Sequence, residues 1–299
     1  MQENIAITKA RNTGDTIVLM VCLAIIVSII SVIFIVGLII AAYATSTGAK
    51  EGGLGDFTVN SMVYASVAGG ILVTSLVSIR IMRQMFLGNM LQIEYSNYAW
   101  LRDWCNSVSR ELNMPKVEIF ITQDPVMNAF AIGFMRPYNI VLNSGSIRYL
   151  TNDELKAIVL HEMGHVYYGH TVIGAYTTVF TGLPVVGGFF GWIINFWGRR
   201  AELTADRLAL FYFNNPELVK SALIKVHVGP DVAEGFNQIA RDWQAVNSAN
   251  WFNSLSQTLS NHPFLVRRLS HIDQYAKQIV SATTSLPSHP TINSTMDNK

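Results

Sequence analysis

Charged side chains are scarce in this chain of 299 residues. Asp, Glu, Lys and Arg make up 14 % of it and hydrophobic residues 50 %, whereas soluble domains usually carry roughly 25 % charged residues. The formal net charge is only +1. Nucleic-acid binding needs concentrated positive charge, so this balance gives no reason to expect a nucleic-acid partner. The composition favours a protein that contacts membrane lipid.

Cysteine is nearly absent as well. The chain has two cysteines, Cys22 and Cys105, which is too few for a disulfide framework, and neither has a partner at metal-ligand spacing. We interpret both as small buried hydrophobic residues.

Charge is missing altogether between Asp15 and Lys50. A membrane-spanning helix needs about 20 apolar residues, so we predict a transmembrane helix over 16–44. A cleaved signal peptide is the alternative, because Ala42-Tyr43-Ala44 resembles a cleavage site, but signal cores run only ~7–15 residues. A second uncharged stretch, rich in small residues, predicts a transmembrane helix over 57–79.

Basic residues set the expected orientation. Lys9 and Arg11 precede the first predicted helix, Lys50 alone lies between the two, and several arginines follow the second. The positive-inside bias then places the N-terminal segment 1–15 and the domain after the second helix in the cytoplasm. We therefore expect a multi-pass protein of the cell (inner) membrane.

Residues 161–165 read His-Glu-Met-Gly-His, the H-E-x-x-H pattern. On a helix, His161 and His165 lie on one face and can bind one zinc ion per chain, with Glu162 as the general base. Residues 151–170 have the pattern of a helix that begins with a capping box, Thr151 with Glu154. The motif is therefore expected on a helix, as its chemistry requires.

The third ligand has to come from elsewhere. His170 follows His165 by five residues, which along a helix turns it about 140° from the metal face. Residues 201–213 have a strong helical pattern, and Glu202 in it is the best candidate for an acidic third ligand. Asp206, one turn on, can accept the free ring N–H of a ligand histidine. The alternative is that both carboxylates pair with neighbouring arginines.

The uncharged stretch 171–197 is long enough for one membrane crossing. A single crossing would separate His165 from Glu202 by the ~30 Å of the hydrocarbon core, whereas metal–ligand bonds are ~2 Å long. Two crossings would need about forty residues. We therefore expect a short, membrane-associated apolar hairpin, broken around Gly182, Pro184, Gly187 and Gly188.

Together these motifs resemble the HtpX-like membrane metalloproteases and the related CAAX prenyl endoproteases. The resemblance rests on His161–His165, on Glu202-x-x-x-Asp206 and on Asn261-His262-Pro263-(x)4-Arg268, and Met127–Ala131 looks like the segment before the catalytic helix. It covers roughly residues 85–275. It implies a membrane zinc endopeptidase that acts on membrane or misfolded proteins, with zinc held by His161, His165 and Glu202 and with Glu162 as the base.

Other residues receive roles in the same reaction. The tetrahedral oxyanion of peptide hydrolysis needs a donor beside the metal, and His262 or Arg268 can supply it. The alternative for Arg268 is a structural pair with Asp206 or Glu202. An exposed edge strand can bind the polypeptide substrate, and our candidate is Asn128, Ala129, Phe130 and Ala131. The alternative is that this is an internal strand.

The expected fold class is α+β, a helix-rich zincin-like metallopeptidase domain with a small β-sheet over 85–280, followed by a disordered tail over 281–299. Strands are predicted at Val117–Thr122, Asn128–Ile132 and Asn139–Asn143. Further helices are predicted at Tyr98–Leu112, Pro216–Val226, Gln238–Leu259 and Leu265–Ile279.

Two other functions stay open. One is a non-catalytic zinc-bound membrane adaptor, which Glu162 argues against, because a structural zinc site needs no base and normally closes its fourth position. The other is a CAAX-type processing protease, although the few predicted membrane helices disfavour a closed multi-helix chamber. The sequence indicates neither the natural substrate nor the oligomeric state.

Overall fold

The computed structural model describes residues 10, 12–46, 87–133, 136–174, 186–248 and 263–284, with scattered helical positions between 66 and 85. Its helices are α1 Thr13–Ser46, α2 Ala99–Glu111, α3 Ser144–Tyr149, α4 Asn152–Tyr167, α5 Val186–Phe213, α6 Pro216–Val228, α7 Pro230–Ala233, α8 Gln238–Ser248 and α9 Leu265–Thr284. Its strands are β1 Leu91–Gln92, β2 Val117–Thr122, β3 Ala129–Ile132 and β4 Tyr138–Asn143. The predicted helix-rich α+β class is confirmed.

The four strands form one sheet in the order β1-β2-β4-β3. β2 and β4 are parallel, with Ile119 opposite Ile140, and β3 is antiparallel to β4, with Ala131 opposite Ile140. The middle of β4 is fully buried because Ile140 and Leu142 face the main core and Val141 faces the cluster with Leu87 and Phe120 on the other side. Helix α4 packs on both β3 and β4. Within the described part of the chain, β3 is an edge strand rather than an internal one.

Helix α4 begins where its capping box predicts. The Thr151 hydroxyl accepts the Glu154 backbone N–H at 3.3 Å, and the Glu154 carboxylate accepts the Thr151 N–H at 2.9 Å. Glu154 also accepts hydrogen bonds from Ser221 and Lys225 of α6. The cap therefore fixes α6 against α4 as well as starting the helix. The helix ends at Tyr167 rather than at the expected residue 170.

Helices α4 and α5 approach closely at Gly164. A Cβ atom at this glycine would lie 3.1 Å from a Leu208 methyl and 3.5 Å from Ala205. A larger residue would push α5 away from α4, and small residues at such crossings let backbones approach. The glycine inside the H-E-x-x-H motif thus brings the candidate third-ligand helix within reach of the histidines.

The predicted hairpin over 171–197 differs from the structure at its second end. Helix α5 runs without interruption for 28 residues from Val186, so Gly187 and Gly188 lie in its first turn and do not break it. The predicted helical stretch 201–213 is confirmed as the second half of this helix. Residues 175–185, with Gly182 and Pro184, lie outside the described residues.

Helix α1 contains the whole of the predicted span 16–44, and its first half packs on α5. Cys22 of α1 forms an apolar cluster with Ile193, Trp197 and Ala201. Among the residues that the structure describes, no helix is both long and apolar enough to cross a membrane, whereas we expected a transmembrane helix over 16–44. Most of the second expected span, 57–79, lies outside the described residues, as does the tail from 285.

Candidate active site

Three ligand atoms from two helices converge at one point. The His161 and His165 Nε2 atoms are 3.1 Å apart, and the Glu202 carboxylate oxygens lie 3.4 Å from His161 Nε2 and 3.5 Å from His165 Nε2. Tetrahedral zinc with bonds of 2.0–2.2 Å requires ligand separations of roughly 3.3–3.5 Å. This donor set of two imidazoles and one carboxylate therefore fits zinc in both type and spacing.

The charges around these atoms favour a cation. Burial opposes protonation of His161, but Asp206 and Glu202 beside it raise its pKa to about 10. Burial lowers the pKa of His165 to about 4. Zinc binding requires both ligand histidines to be neutral, and the Glu202 and Asp206 carboxylates beside His161 would balance the charge of a cation held there.

Asp206 and Arg268 contact the candidate metal ligands His161 and Glu202. An oxygen of Asp206 lies 3.0 Å from the His161 Nδ1 atom. Arg268 donates two hydrogen bonds to Asp206, at 2.8 and 2.6 Å, and its third nitrogen lies 3.2 Å from Glu202. Burial opposes the ionisation of Asp206, but Arg268 holds the pKa of this carboxyl well below its usual range. In this structure Arg268 makes the structural pairs that were the alternative to an oxyanion role.

Glu162 is buried next to the ligand set. Burial raises the pKa of its carboxyl to about 7, while the neighbouring His161 and the Ala131 backbone act in the opposite direction. A pKa near the working pH suits a group that first accepts a proton and then releases it. The candidate base therefore lies beside the edge strand β3.

A cleft of about 360 Å³ is lined by His161, Glu162, Glu202 and Arg268. One wall comes from residues 126–129 around the start of β3, and the other from Leu223, Val226 and His227 of α6. The arrangement places a ligand set, a base and two apolar walls around one opening.

The predicted strand residues divide between this cleft and the sheet. Asn128 and Ala129 line the cleft, and Ala131 reaches Glu162. Phe130 instead packs beside Phe120 and Val141, on the side of the sheet that holds Leu87. The structure therefore brings together three of the four residues at the site.

Three histidines outside the H-E-x-x-H motif bear on the site. His262 lies outside the described residues. His170 does not point away from the site as expected, since its Nδ1 atom is 2.9 Å from His165 Nδ1. His227 lines the cleft and was missed, because nothing in the local sequence pattern indicates that α6 forms a wall of the site.

The comparisons with known proteins agree with this geometry. Residues 95–276 match the model of peptidase family M48. The chain is 32 % identical over 188 residues to the plastoglobule-localized metallopeptidase 48 of Arabidopsis thaliana, an alignment of 56 % of this chain and 54 % of the relative. It is 24 % identical over 282 residues to a protease HtpX homolog of Neisseria meningitidis, covering 81 % of this chain and 95 % of that protein. It thus spans about half the length of the plant relative.

Two further matches are partial. Protease HtpX of Actinobacillus pleuropneumoniae is 29 % identical over 146 residues, 48 % of this chain and 50 % of the relative. A crystal structure of S. mikatae Ste24p aligns with a TM-score of 0.46 and 16 % identity, over 88 % of this chain and 67 % of that one.

Proposed function

This chain belongs to peptidase family M48, and we propose that it is a zinc-dependent endopeptidase of the membrane. The family match and the HtpX relatives confirm the resemblance first seen in the motifs. The observation that carries the proposal is the convergence of His161, His165 and Glu202 beside the buried Glu162, at the bottom of an open cleft.

The roles of the side chains follow from their positions. His161, His165 and Glu202 would hold the zinc, which supplies a Lewis acid that acidifies a bound water and polarises a carbonyl. Glu162 accepts a proton from the attacking water and passes it to the leaving amine. Its carboxyl is buried and lines the cleft. Asp206 orients His161, and Arg268 balances the charge of both carboxylates.

The backbone of the edge strand β3 supports the proposal that the substrate is a polypeptide. The Asn143 N–H bonds to the Asn128 carbonyl, so the backbone groups of Asn128 face β4, and those of Ala129 and Ala131 face the open side. The Ala129 N–H is taken by the Asn128 side chain at 3.0 Å, and Ala131 lies close to the Glu162 carboxyl. The outward carbonyls of both alanines can accept N–H groups from an extended substrate.

The membrane part of the proposal rests on α1. Among its described apolar side chains, several are exposed, with Ile17 at 63 %, Met20 at 63 % and Ile39 at 62 %. Exposed apolar side chains along one helix are unfavourable in water and favour contact with lipid. With the basic residues of the sequence, it supports a catalytic domain on the cytoplasmic side. We propose membrane or misfolded proteins as the substrates.

The test is the Glu162→Gln variant of the detergent-solubilised full chain. We expect it to bind zinc as the unchanged protein does and to lose about 100-fold or more of its cleavage of an unfolded protein, because a positioned base contributes 10²–10⁴-fold. Glu118→Gln, on the exposed side of β2, is the matched control and should cleave normally. Zinc per chain and turnover are measured on the same samples, with and without chelator. Cleavage that survives in Glu162→Gln would contradict the assignment.

A further inference from the structure

His165 has a second histidine behind it. Its Nδ1 atom lies 2.9 Å from the Nδ1 atom of His170, and the two rings meet at 65° with their centroids 5.1 Å apart. This contact is on the side of His165 opposite to the Nε2 atom that faces His161 and Glu202. His170 therefore touches the ligand ring without entering the ligand set.

The end of α4 explains how His170 reaches this position. The helix stops at Tyr167, and Gly169 adopts a φ of 75°, a left-handed conformation that favours glycine at helix ends. The chain thus leaves the helical path before His170 and no longer carries it round the axis. The ring of His170 then stacks on Tyr168, at 5.7 Å and 27°, and meets the edge of Trp197 at 5.4 Å.

The requirements of a zinc ligand decide which of the two histidines, His165 or His170, donates the hydrogen bond. A zinc ligand needs its lone pair on Nε2, so the proton of a neutral His165 has to sit on Nδ1. His165 then donates, and His170 Nδ1 accepts. The partner of His161 is different, because its Nδ1 atom faces the Asp206 carboxylate at 3.0 Å. Each ligand histidine therefore has its own acceptor, an acidic one for His161 and an imidazole for His165.

We propose that His170 is a positioning residue that fixes the ring orientation and the tautomer of His165 for zinc binding. The inference rests on the zinc site of the proposed function. The partners of ligand histidines typically contribute 10–100-fold to metal affinity. His170 is held by Tyr168 and Trp197 on one side, so it is itself oriented when His165 meets it.

The test compares His170→Ala with His170→Asn in the full chain. Alanine removes the acceptor, whereas the asparagine side-chain oxygen can occupy nearly the position of the Nδ1 atom. We expect His170→Ala to weaken zinc binding by about 10–100-fold and His170→Asn to recover most of that loss. The affinity is measured by competition with a zinc chelator, without any substrate. His271→Ala is the matched control, because His271 packs at a tilt of 51° against Tyr275 of its own helix and should leave zinc binding unchanged.

Two outcomes would overturn the inference. One is that His170→Ala binds zinc as tightly as the unchanged protein. The other is that His170→Asn loses as much affinity as His170→Ala, which would mean that ring packing matters and the acceptor does not. Thermal unfolding of the metal-free variants shows whether either one is misfolded. A chain that binds zinc but cleaves nothing would contradict the peptidase function and leave the role of His170 intact.

Discussion

The two sides of helix α5 are anchored by ion pairs of opposite polarity. On the site side, α5 supplies the carboxylates Glu202 and Asp206, and the cation is Arg268 of α9. On the other side α5 supplies the cations Arg200 and Arg207, and the carboxylate is Asp15 at the start of α1. Helix α5 is thus held by two residues that are far from it in sequence, Asp15 on one side and Arg268 on the other.

The two sets of ion pairs also differ in the solvent exposure of their side chains. The side chains of Asp206 and Arg268 are 1 % and 4 % exposed, whereas Asp15 and Arg200 are 14 % and 33 % exposed. Asp15 gains additional hydrogen bonds from Thr204 and Arg207. Removing one partner from a buried pair leaves an uncompensated charge, which costs more than the same change at a wetter position. The site side should therefore be the more sensitive one.

The largest effect is expected for Glu202→Ala, which removes a ligand from the site side. Two imidazoles remain, and a zinc site normally takes at least three protein ligands, so we expect zinc binding and proteolysis to be lost. Glu217→Ala is the matched control, because Glu217 is an exposed helix glutamate paired with Lys220. Metal analysis of both purified variants gives the answer. Zinc retained at the level of the control would exclude Glu202 as a ligand.

The next largest effect is expected for Asp206→Asn. The change leaves Arg268 buried without its main counter-charge, which should cost about 3–5 kcal/mol of unfolding free energy. It should also weaken zinc binding by about 10–100-fold, because His161 loses its anionic partner. Both are measured on the full chain, by denaturant unfolding and by chelator competition.

A paired variant separates the two effects of Asp206. In Asp206→Asn with Arg268→Gln the isolated arginine is removed, and only Glu202 loses its cation, so we expect stability to recover in part while zinc affinity stays low. If stability did not recover, the cost of the single change would not come from the isolated arginine.

The elements with strong local signals were predictable. β2 has the bounds that its alternation indicated, Val117–Thr122, and α4 starts at the capping box of Thr151 and Glu154. Both depend on neighbours in sequence. The start of α5 was not predictable, because the glycines at 187 and 188 disfavour a helix locally. Its contact with α1, through Ile193 and Trp197, joins residues far apart in sequence.

The site residues likewise divide into those that local sequence patterns predicted and those that they did not. The spacing of His161, His165 and Glu202 pointed to the ligand set, which the structure brings together. His227 joins the cleft only because α6 folds back along α4, and no local pattern carries that information. We expected His170 to point away from the metal because a helix was predicted through residue 170. The chain instead turns at Gly169. The pair of Asp15 with Arg207 joins residues 192 positions apart, beyond any local pattern.

The smallest effect is expected for Asp15→Asn, on the side of α5 that faces α1. Arg200 and Arg207 would lose a charged acceptor, and hydrogen bonds to charged groups are worth about 1.5–3 kcal/mol. Zinc affinity should stay within about twofold of the unchanged value, because Asp15 shares no direct partner with the ligands. Asp103→Asn is the matched control, since Asp103 pairs with Arg102 on the surface and such pairs contribute less than about 1 kcal/mol. Thermal unfolding and chelator competition on the full chain test both statements. A clear loss of zinc affinity in Asp15→Asn would mean that α5 transmits the state of α1 to the metal site, and that its two sides do not act independently.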